Sequence, residues 1–260
     1  LGRGGSDTTA VAIASVLKAE RCDIYTDVEG IYSTDPNIDK NAKKINRIAY
    51  EEILEMSSLG AKVLHTRSVE LAMKNNINLQ VLSSIIQSKG TMIINDKELI
   101  EKEIVSGISY SKDESKISIS GVPDKPGISA KIFGILSAYN INVDMIVQNI
   151  SQDGVSANLT FTIRSKEMEK AYNLLEKNKS LINYKSISAA SNLAKVSVIG
   201  MGMKSQSGVA QKMFQTLGDN KINILAISTS EIKISVLIEK KYTEQAVISL
   251  HKAYKLNKKV

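Results

Sequence analysis

The segment GISAKIFGILSAYNINV (residues 127–143) recurs 81 positions further on as GVAQKMFQTLGDNKINI (residues 208–224). Gly127, Lys131, Phe133, Leu136, Ile141 and Asn142 fall on Gly208, Lys212, Phe214, Leu217, Ile222 and Asn223. Coincidence on this scale marks a duplicated folding unit. In each copy the glycine opens a segment whose apolar residues recur at helical spacing, and the Ile-Asn pair leads out of it. Working outward, an alternating strand precedes each copy, at 116–120 and 195–199. Two strands and a second helix follow, at 144–151, 156–163 and 167–176 in the first copy and at 224–229, 232–239 and 243–254 in the second. The order βαββαβ predicts an antiparallel sheet with helices on one face.

The strand count of the two copies is unequal. The first closes with a strand over 184–189, whereas after its last helix the second has only residues 255–260, too short and too charged to complete a sheet. An orphan strand over 103–110, ahead of the first copy, is the natural candidate for that place. The first module is therefore expected to be inserted into the second: residues 111–190 make module 1, and residues 96–110 with 191–260 make module 2.

Upstream of residue 96 the pattern changes. Leu1-Gly2-Arg3-Gly4-Gly5-Ser6-Asp7-Thr8-Thr9 is a glycine-rich turn running into a helix that carries Ala10, Val11, Ile13, Ala14, Val16 and Leu17. Glycine permits positive φ and close approach of backbone to a ligand; Ser6, Asp7 and Thr8 are capping residues; and free amides at a helix start attract anions. Arg3 adds a planar fork of donors suited to a carboxylate or phosphate. Read alone, this loop is equally a surface turn with a stray arginine. A strand over 22–26, an Asp/Gly/Pro-rich loop over 27–41, helices near 50–57 and over 60–75, and strands over 79–83 and 91–94 complete residues 1–95. Helices alternating with buried-looking strands predict an α/β unit whose sheet is mostly parallel and covered on both faces.

Bulk properties bound the function. At 260 residues the chain has room for two or three domains, and its 43% apolar content is that of a globular protein. No run approaches the roughly 18 apolar residues needed to span a bilayer, and the start lacks the basic-then-apolar layout of a secretory signal; a cytoplasmic chain without membrane contact is expected. The single cysteine, Cys22, excludes an internal disulfide framework and reads as a small buried residue. With only His65 and His251 beside it, no metal ligand set is predicted. Residues 1–95 carry 11 basic and 11 acidic side chains, so the net charge of +7 arises wholly in the second part. There the lysines are scattered over amphipathic helices and strand ends without interleaved aromatics, which argues against a nucleic-acid partner.

Three blocks carry a family resemblance: Gly2-Arg3-Gly4-Gly5-Ser6-Asp7, then Tyr25-Thr26-Asp27-Val28-Glu29-Gly30-Ile31-Tyr32-Ser33-Thr34-Asp35-Pro36, and Met56-Ser57-Ser58-Leu59-Gly60-Ala61-Lys62-Val63-Leu64-His65. With the repeat, they resemble the aspartokinases, ATP-dependent kinases of L-aspartate that carry two C-terminal ACT modules, and the resemblance extends over the whole chain. It implies the C-terminal part of an amino-acid-kinase-type parallel-sheet domain in residues 1–95, of α/β class, followed by two ferredoxin-like βαββαβ ACT modules. It implies transfer of the γ-phosphoryl of ATP, with Mg2+, to the aspartate side chain, giving 4-phospho-L-aspartate on the way to lysine, threonine and methionine. That nucleophile is already ionised at neutral pH, so positioning and charge neutralisation carry the catalysis. On this resemblance Arg3 and Ser6 hold aspartate, and Asp7 orders the loop or the reacting groups. Thr26 and Asp27, at the C-terminal end of a strand, look like nucleotide contacts. Tyr32, Asp35, Pro36 and Asn37 belong to the wall around adenine and ribose, and Lys62 approaches the nucleotide from the start of its helix. Asn37 stands where many relatives carry arginine, and Thr66 replaces a usual proline. The family's Lys-Phe-Gly-Gly block, whose lysine neutralises charge on the transferring phosphoryl, is not among these 260 residues. Alone, they are expected to be inactive.

The resemblance also implies that the ACT modules bind free amino acids between modules of paired chains, hence a homodimer or hetero-oligomer. Gly127-Ile128-Ser129 and Gly208-Val209-Ala210 place N–H groups at helix starts, able to receive an α-carboxylate. Asn142, Val143 and Asp144, and Asn223 and Ile224, open the facing strand and address the amino group and side chain. Asp124, Gln148 and Ser230 complete the lining by resemblance. The effector is lysine, threonine or both. The alternative that keeps the fold is a non-catalytic amino-acid-binding regulatory subunit.

Overall fold

The computed structural model describes residues 4–59, 63–99, 103–151 and 154–257. Its first half is built from α1 (Gly5–Val16), β1 (Arg21–Thr26), β2 (Arg47–Ala49), α2 (Tyr50–Leu59), α3 (Thr66–Asn75), β3 (Asn78–Ser83) and β4 (Thr91–Ile94). The sheet order is β1-β3-β4-β2. β1 pairs parallel with β3, and β2 with β4, while β3 and β4 are antiparallel. Strand β2 escaped the sequence reading because three residues give no periodicity to recognise.

At β1 and β3 one face of this sheet is packed. Cys22 and Ile24 of β1 and Leu79 and Val81 of β3 point inward, against Val11 and Ala14 of α1, Ile53 and Met56 of α2, and Val69 and Ala72 of α3. The alternate residues face the other way: Tyr25 is 64% exposed, and Asn78, Gln80 and Leu82 are half-buried. The expectation of cover on both faces is therefore corrected for β1 and β3, whereas in β2 and β4 the consecutive residues Ile48 and Ala49, and Ile93 and Ile94, are all buried. β1 and β3 alternate with period two, the pattern of a sheet with one dry face. A second correction concerns α3, which begins at Thr66 and not near residue 60. His65 has extended backbone (φ −82°, ψ 129°), and its carbonyl accepts the N–H and the hydroxyl of Ser68.

The second half comprises β5 (Gly107–Pro123), α4 (Ile128–Ser137), β6 (Val143–Ile150), β7 (Ser156–Ile163), α5 (Met168–Lys177), α6 (Lys179–Ile182), β8 (Ser186–Ile199), α7 (Val209–Asp219), β9 (Ala226–Thr229), β10 (Lys233–Glu239) and α8 (Thr243–Ala253). All six strands form one sheet in the order β6-β7-β5-β8-β10-β9. Strands expected separately, at 103–110 and 116–120, are one strand of 17 residues, and those at 184–189 and 195–199 merge likewise. Register shifts on either side of Glu114↔Leu193 absorb the irregular middle, so the ladder is not broken there. The start of β5, residues 107–111, pairs with residues 195–199 of β8, which lead on to β10 and β9; its end pairs with β7 and with residues 186–190 of β8. Residues 103–106 precede the strand, although Ser106 N–H still bonds the Ile199 carbonyl at 2.8 Å.

Each repeat builds its own core. Ile132 and Leu136 of α4 and Ala171 and Leu175 of α5 cover Ile117, Leu159 and Phe161, with Phe133 edge-on to Phe161 at 5.5 Å. Met213 and Leu217 of α7 and Val247 and Leu250 of α8 cover Val196, Val198 and Val236. The two halves of the chain meet in part through α2. Buried Glu52 accepts the Ala49 N–H (3.1 Å), the Ser106 hydroxyl (2.6 Å) and the Met201 N–H (2.9 Å), and Lys233 reaches Glu55 at 2.7 Å. Among the described residues no helix is long and apolar enough to cross a membrane.

Candidate functional site

Helix α1 runs away from the glycine turn and β1 returns beside it, so the start of α1 and the end of β1 lie at one end of the sheet. β3, parallel to β1 with Thr26 opposite Ser83, ends there too. Just beyond, the Ser84 N–H and hydroxyl both donate to the Thr26 carbonyl, at 2.8 and 3.0 Å. Helix α3 also starts here: a Cβ added to Gly4 would lie 2.4 Å from the His65 ring, and Gly4 has φ +74°. Glycine is required on both counts. Gly4–Asp7 of the first block of the resemblance, Tyr25–Asp27 of the second and His65 of the third thus converge where strands end and helices begin, the place at which α/β sheets receive anionic ligands.

Within this end, exposed Ser6 donates to Asp7 Oδ1 at 3.3 Å, and Asp7 sits in the first turn of α1, where a carboxylate meets the positive end of the helix dipole. The Thr8 N–H and hydroxyl turn back to the Gly4 carbonyl, closing the turn. Thr26 donates to Asp27 Oδ1 at 3.1 Å. Arg3 and Lys62 lie outside the described residues.

Beyond Asp27 the chain leaves the sheet and returns at β2. Tyr32 bridges Lys44, the Ser33 N–H donates to the Lys43 carbonyl (2.8 Å), and the Lys43 N–H donates to Ser33 Oγ (3.0 Å). This neck closes a loop that carries Asp35, Pro36 and Asn37. Asp35 Oδ1 accepts the Asn37 N–H at 2.9 Å, while Oδ2 accepts the Tyr110 hydroxyl at 2.9 Å. Pro36 and Asn37 are exposed. Burial, then the Glu29 charge, pushes the Tyr32 phenol upward, and burial followed by the bond to Asp35 pushes Tyr110 to about 12.

Two partners of this loop were not read from the sequence. In the sequence Tyr110 reads only as the end of a strand. His251 is fully buried on α8, with Nε2 2.8 Å from Ser33 Oγ and Nδ1 2.8 Å from Asp39 Oδ2, although the Nδ1 contact is poorly aligned for a hydrogen bond. Burial lowers the His251 pKa, and Asp39 opposes that shift. The available signal was its place on the apolar stripe of α8 beside Val247 and Leu250.

The residues expected to bind effector fall into separate groups. Ser129, at the start of α4, donates to Gln148 Oε1 at 2.9 Å, joining helix start and β6. The Asp124 N–H bonds the Val155 carbonyl at 3.1 Å. Asn142 is exposed and Val143 half-buried, whereas Asp144 pairs with Lys195, which also lies 3.6 Å from buried Glu114. Burial raises the Glu114 pKa and Lys195 partly offsets it. In the second repeat Gly208 and Val209 line a cleft of about 1290 Å³ facing the first half, with Lys43, Lys44, Arg47 and Lys212. Ala210 and Ile224 pack against the α7–α8 core, Asn223 is exposed, and the Ser230 N–H donates to the Lys233 carbonyl at 2.7 Å.

Residues 1–83 match the Amino acid kinase family, and residues 117–178 and 196–254 match the ACT domain. Fold and site together define a portion of an amino-acid kinase joined to two ACT modules. An aspartate kinase of Pseudomonas putida is 51% identical over 258 residues, covering 99% of this chain and 62% of that relative. The solved aspartate kinase of Clostridium acetobutylicum superposes with a TM-score of 0.89 at 31% identity, covering 98% of this chain and 59% of its own. E. coli aspartokinase III matches in its complex with aspartate and ADP (TM-score 0.81) and in that with lysine and aspartate (0.78), both at 30% identity over 97% of this chain and 56% of theirs. The chain belongs to the aspartokinase family. It spans about three-fifths of the length of these relatives.

Proposed function

We propose that these 260 residues carry part of the catalytic domain and both regulatory modules of an aspartate kinase, which phosphorylates the side-chain carboxylate of L-aspartate with ATP. The observation that carries this reading is the convergence of Gly4–Asp7, Thr26–Asp27 and His65 at one end of the sheet. The amides of the α1 start, with Arg3 and Ser6, hold the aspartate carboxylates. Thr26 and Asp27 face the nucleotide, Tyr32, Asp35, Pro36 and Asn37 wall its base and sugar, and Lys62 meets its phosphates. Mg2+ would supply charge neutralisation alongside the nucleotide phosphates, and Asp7 and Asp27 are the carboxylates at this end that could help to hold it. No general base is needed, because the attacking carboxylate is ionised at neutral pH.

The chain divides into residues 1–95, an inserted module 1 at 111–190, and a module 2 of 96–110 with 191–260. The pairing of residues 107–111 with 195–199 supports this division. A free amino acid, lysine or threonine or both, binds the modules through Asp124, Asn142, Val143, Asp144 and Gln148 in the first and Val209, Ala210, Asn223, Ile224 and Ser230 in the second. The modules associate with those of a second chain, and the protein works in the cytoplasm. A full-length enzyme containing these residues should form ADP only when aspartate is present. The 260 residues alone should not, since losing a donor to a transition-state anion costs roughly a hundredfold or more in rate. Aspartate-dependent ADP formation in a coupled assay of the isolated chain would refute the second expectation, and its absence from the full-length enzyme would refute the function.

A further inference from the structure

We infer that His251 and Tyr110, residues of the regulatory half, are positioning residues for the loop at 32–43; the inference rests on the reading of that loop as a nucleotide wall. Four contacts dock the loop. The Tyr110 hydroxyl donates to Asp35 Oδ2 at 2.9 Å. The Ile108 N–H donates to the Ser33 carbonyl at 2.7 Å. Ile38 packs against the core formed by α7 and α8. The His251 ring stands between Ser33 and Asp39, on the two sides of the loop, with 2.8 Å to each.

The hydrogen-bond inventory fixes the direction of the histidine contact. The Asp39 carboxylate 2.8 Å from Nδ1 can only accept, so a neutral ring carries its proton there, and Ser33 Oγ, which accepts the Lys43 N–H, gives its own hydrogen to Nε2. That assigns the neutral imidazole with its proton on Nδ1, the nitrogen facing the Asp39 carboxylate. Asp39 Oδ1 is occupied by the Asn41 N–H and side-chain amide at 2.9 and 3.0 Å, leaving Oδ2 toward the ring. Ser33 is buried and its hydroxyl is held on both sides, so this Ser-His-Asp set has no access to a substrate. Its effect is to hold the neck of the loop in one geometry. A loop ordered in advance does not lose that freedom when nucleotide arrives, so loosening it weakens nucleotide affinity selectively.

Tyr110→Phe removes one hydroxyl with little loss of volume. His251→Gln keeps a polar atom near Nε2, while His251→Asn keeps one near Nδ1 and no longer reaches Ser33. In the full-length kinase, Tyr110→Phe and His251→Asn should each raise KM for ATP about fivefold, the loss of one net hydrogen bond, with kcat and KM for aspartate within about twofold. His251→Gln should restore most of the ATP affinity. Val247→Ala, in the same helix but packed into the module core, should lower Tm and leave KM for ATP unchanged. Hydrogen exchange of residues 31–43 should quicken in the first two variants and not in Val247→Ala. An unaltered KM for ATP in folded Tyr110→Phe and His251→Asn overturns the inference while leaving the kinase reading intact. A full-length protein that consumes no ATP with aspartate overturns the kinase reading, and the inference with it.

Discussion

Gly127 and Gly208 occupy the same place in the two repeats, at the cap of α4 and α7, and share a left-handed backbone, φ +87° and φ +90°. No atom lies within 4 Å of a Cβ added to either, so glycine is required there by conformation and not by space. Gly208→Ala should therefore cost about 1–2 kcal/mol, the penalty of a side chain at positive φ, and the loss should appear as a shifted urea midpoint with unchanged slope. His251 gives a prediction of different kind. Its pKa is lowered in the fold, so the folded state prefers it neutral. Unfolded histidine titrates at about 6.5. Stability from this group is thus full above that pH and declines as pH falls through the window between the unfolded and the lower folded value, where the unfolded chain binds more protons. Melting temperatures measured from pH 7.5 down to 5 should fall less steeply in His251→Gln than in the unaltered chain. Equal slopes would mean that the buried ring contributes nothing to the pH dependence.

At the level of elements, β5 and β8 decide how the regulatory half behaves, because each runs through the sheets of both repeats. Two cores attached to one continuous ladder should unfold together. Leu136→Ala and Leu217→Ala, in different cores, should each cost about 2–5 kcal/mol and lower one and the same calorimetric transition. Two separately shifted transitions would show that the shared strands do not couple the modules. The repeat itself was legible because glycine, phenylalanine, leucine and the Ile-Asn pair recur in phase with helix and strand periods. The joining of strands was not: Ser111-Lys112-Asp113-Glu114 reads as a polar linker, and only the structure shows Glu114 buried beside Lys195 and paired across to Leu193. The glycine-rich turn and the strand end at Thr26 and Asp27 were readable for a similar reason, since their chemistry is local. The docking of the loop at 32–43 was hidden, because Tyr110 and His251 come from strands and helices far along the chain and look, in sequence, like ordinary core residues.

On the scale of the molecule, the kinase-type half and the regulatory half are joined by polar contacts at Ser33, Asp35, Glu52 and Glu55, and Glu52 is a buried carboxylate among them. Its carboxylate holds Ala49 of its own half and Ser106 and Met201 of the other. Hydrogen bonds to a charged acceptor contribute about 1.5–3 kcal/mol each, and truncating the acceptor leaves buried donors without a partner. On the proposed reading, an effector can alter catalysis only through contacts that differ between two arrangements of these halves, so the junction and the proposed effector site should be separable by mutation. Asp124→Ala, at the proposed first effector site, should weaken effector binding and raise the concentration needed for inhibition by the same factor. Glu52→Gln should behave differently: the amide keeps an acceptor but loses the charge, which weakens the junction while leaving both modules folded. Calorimetry should then give an effector Kd close to that of the unaltered enzyme, whereas maximal inhibition should fall. If Glu52→Gln shifts Kd and inhibition together, the junction and the effector site are not separable by mutation, and this carboxylate is not an independent carrier of the coupling.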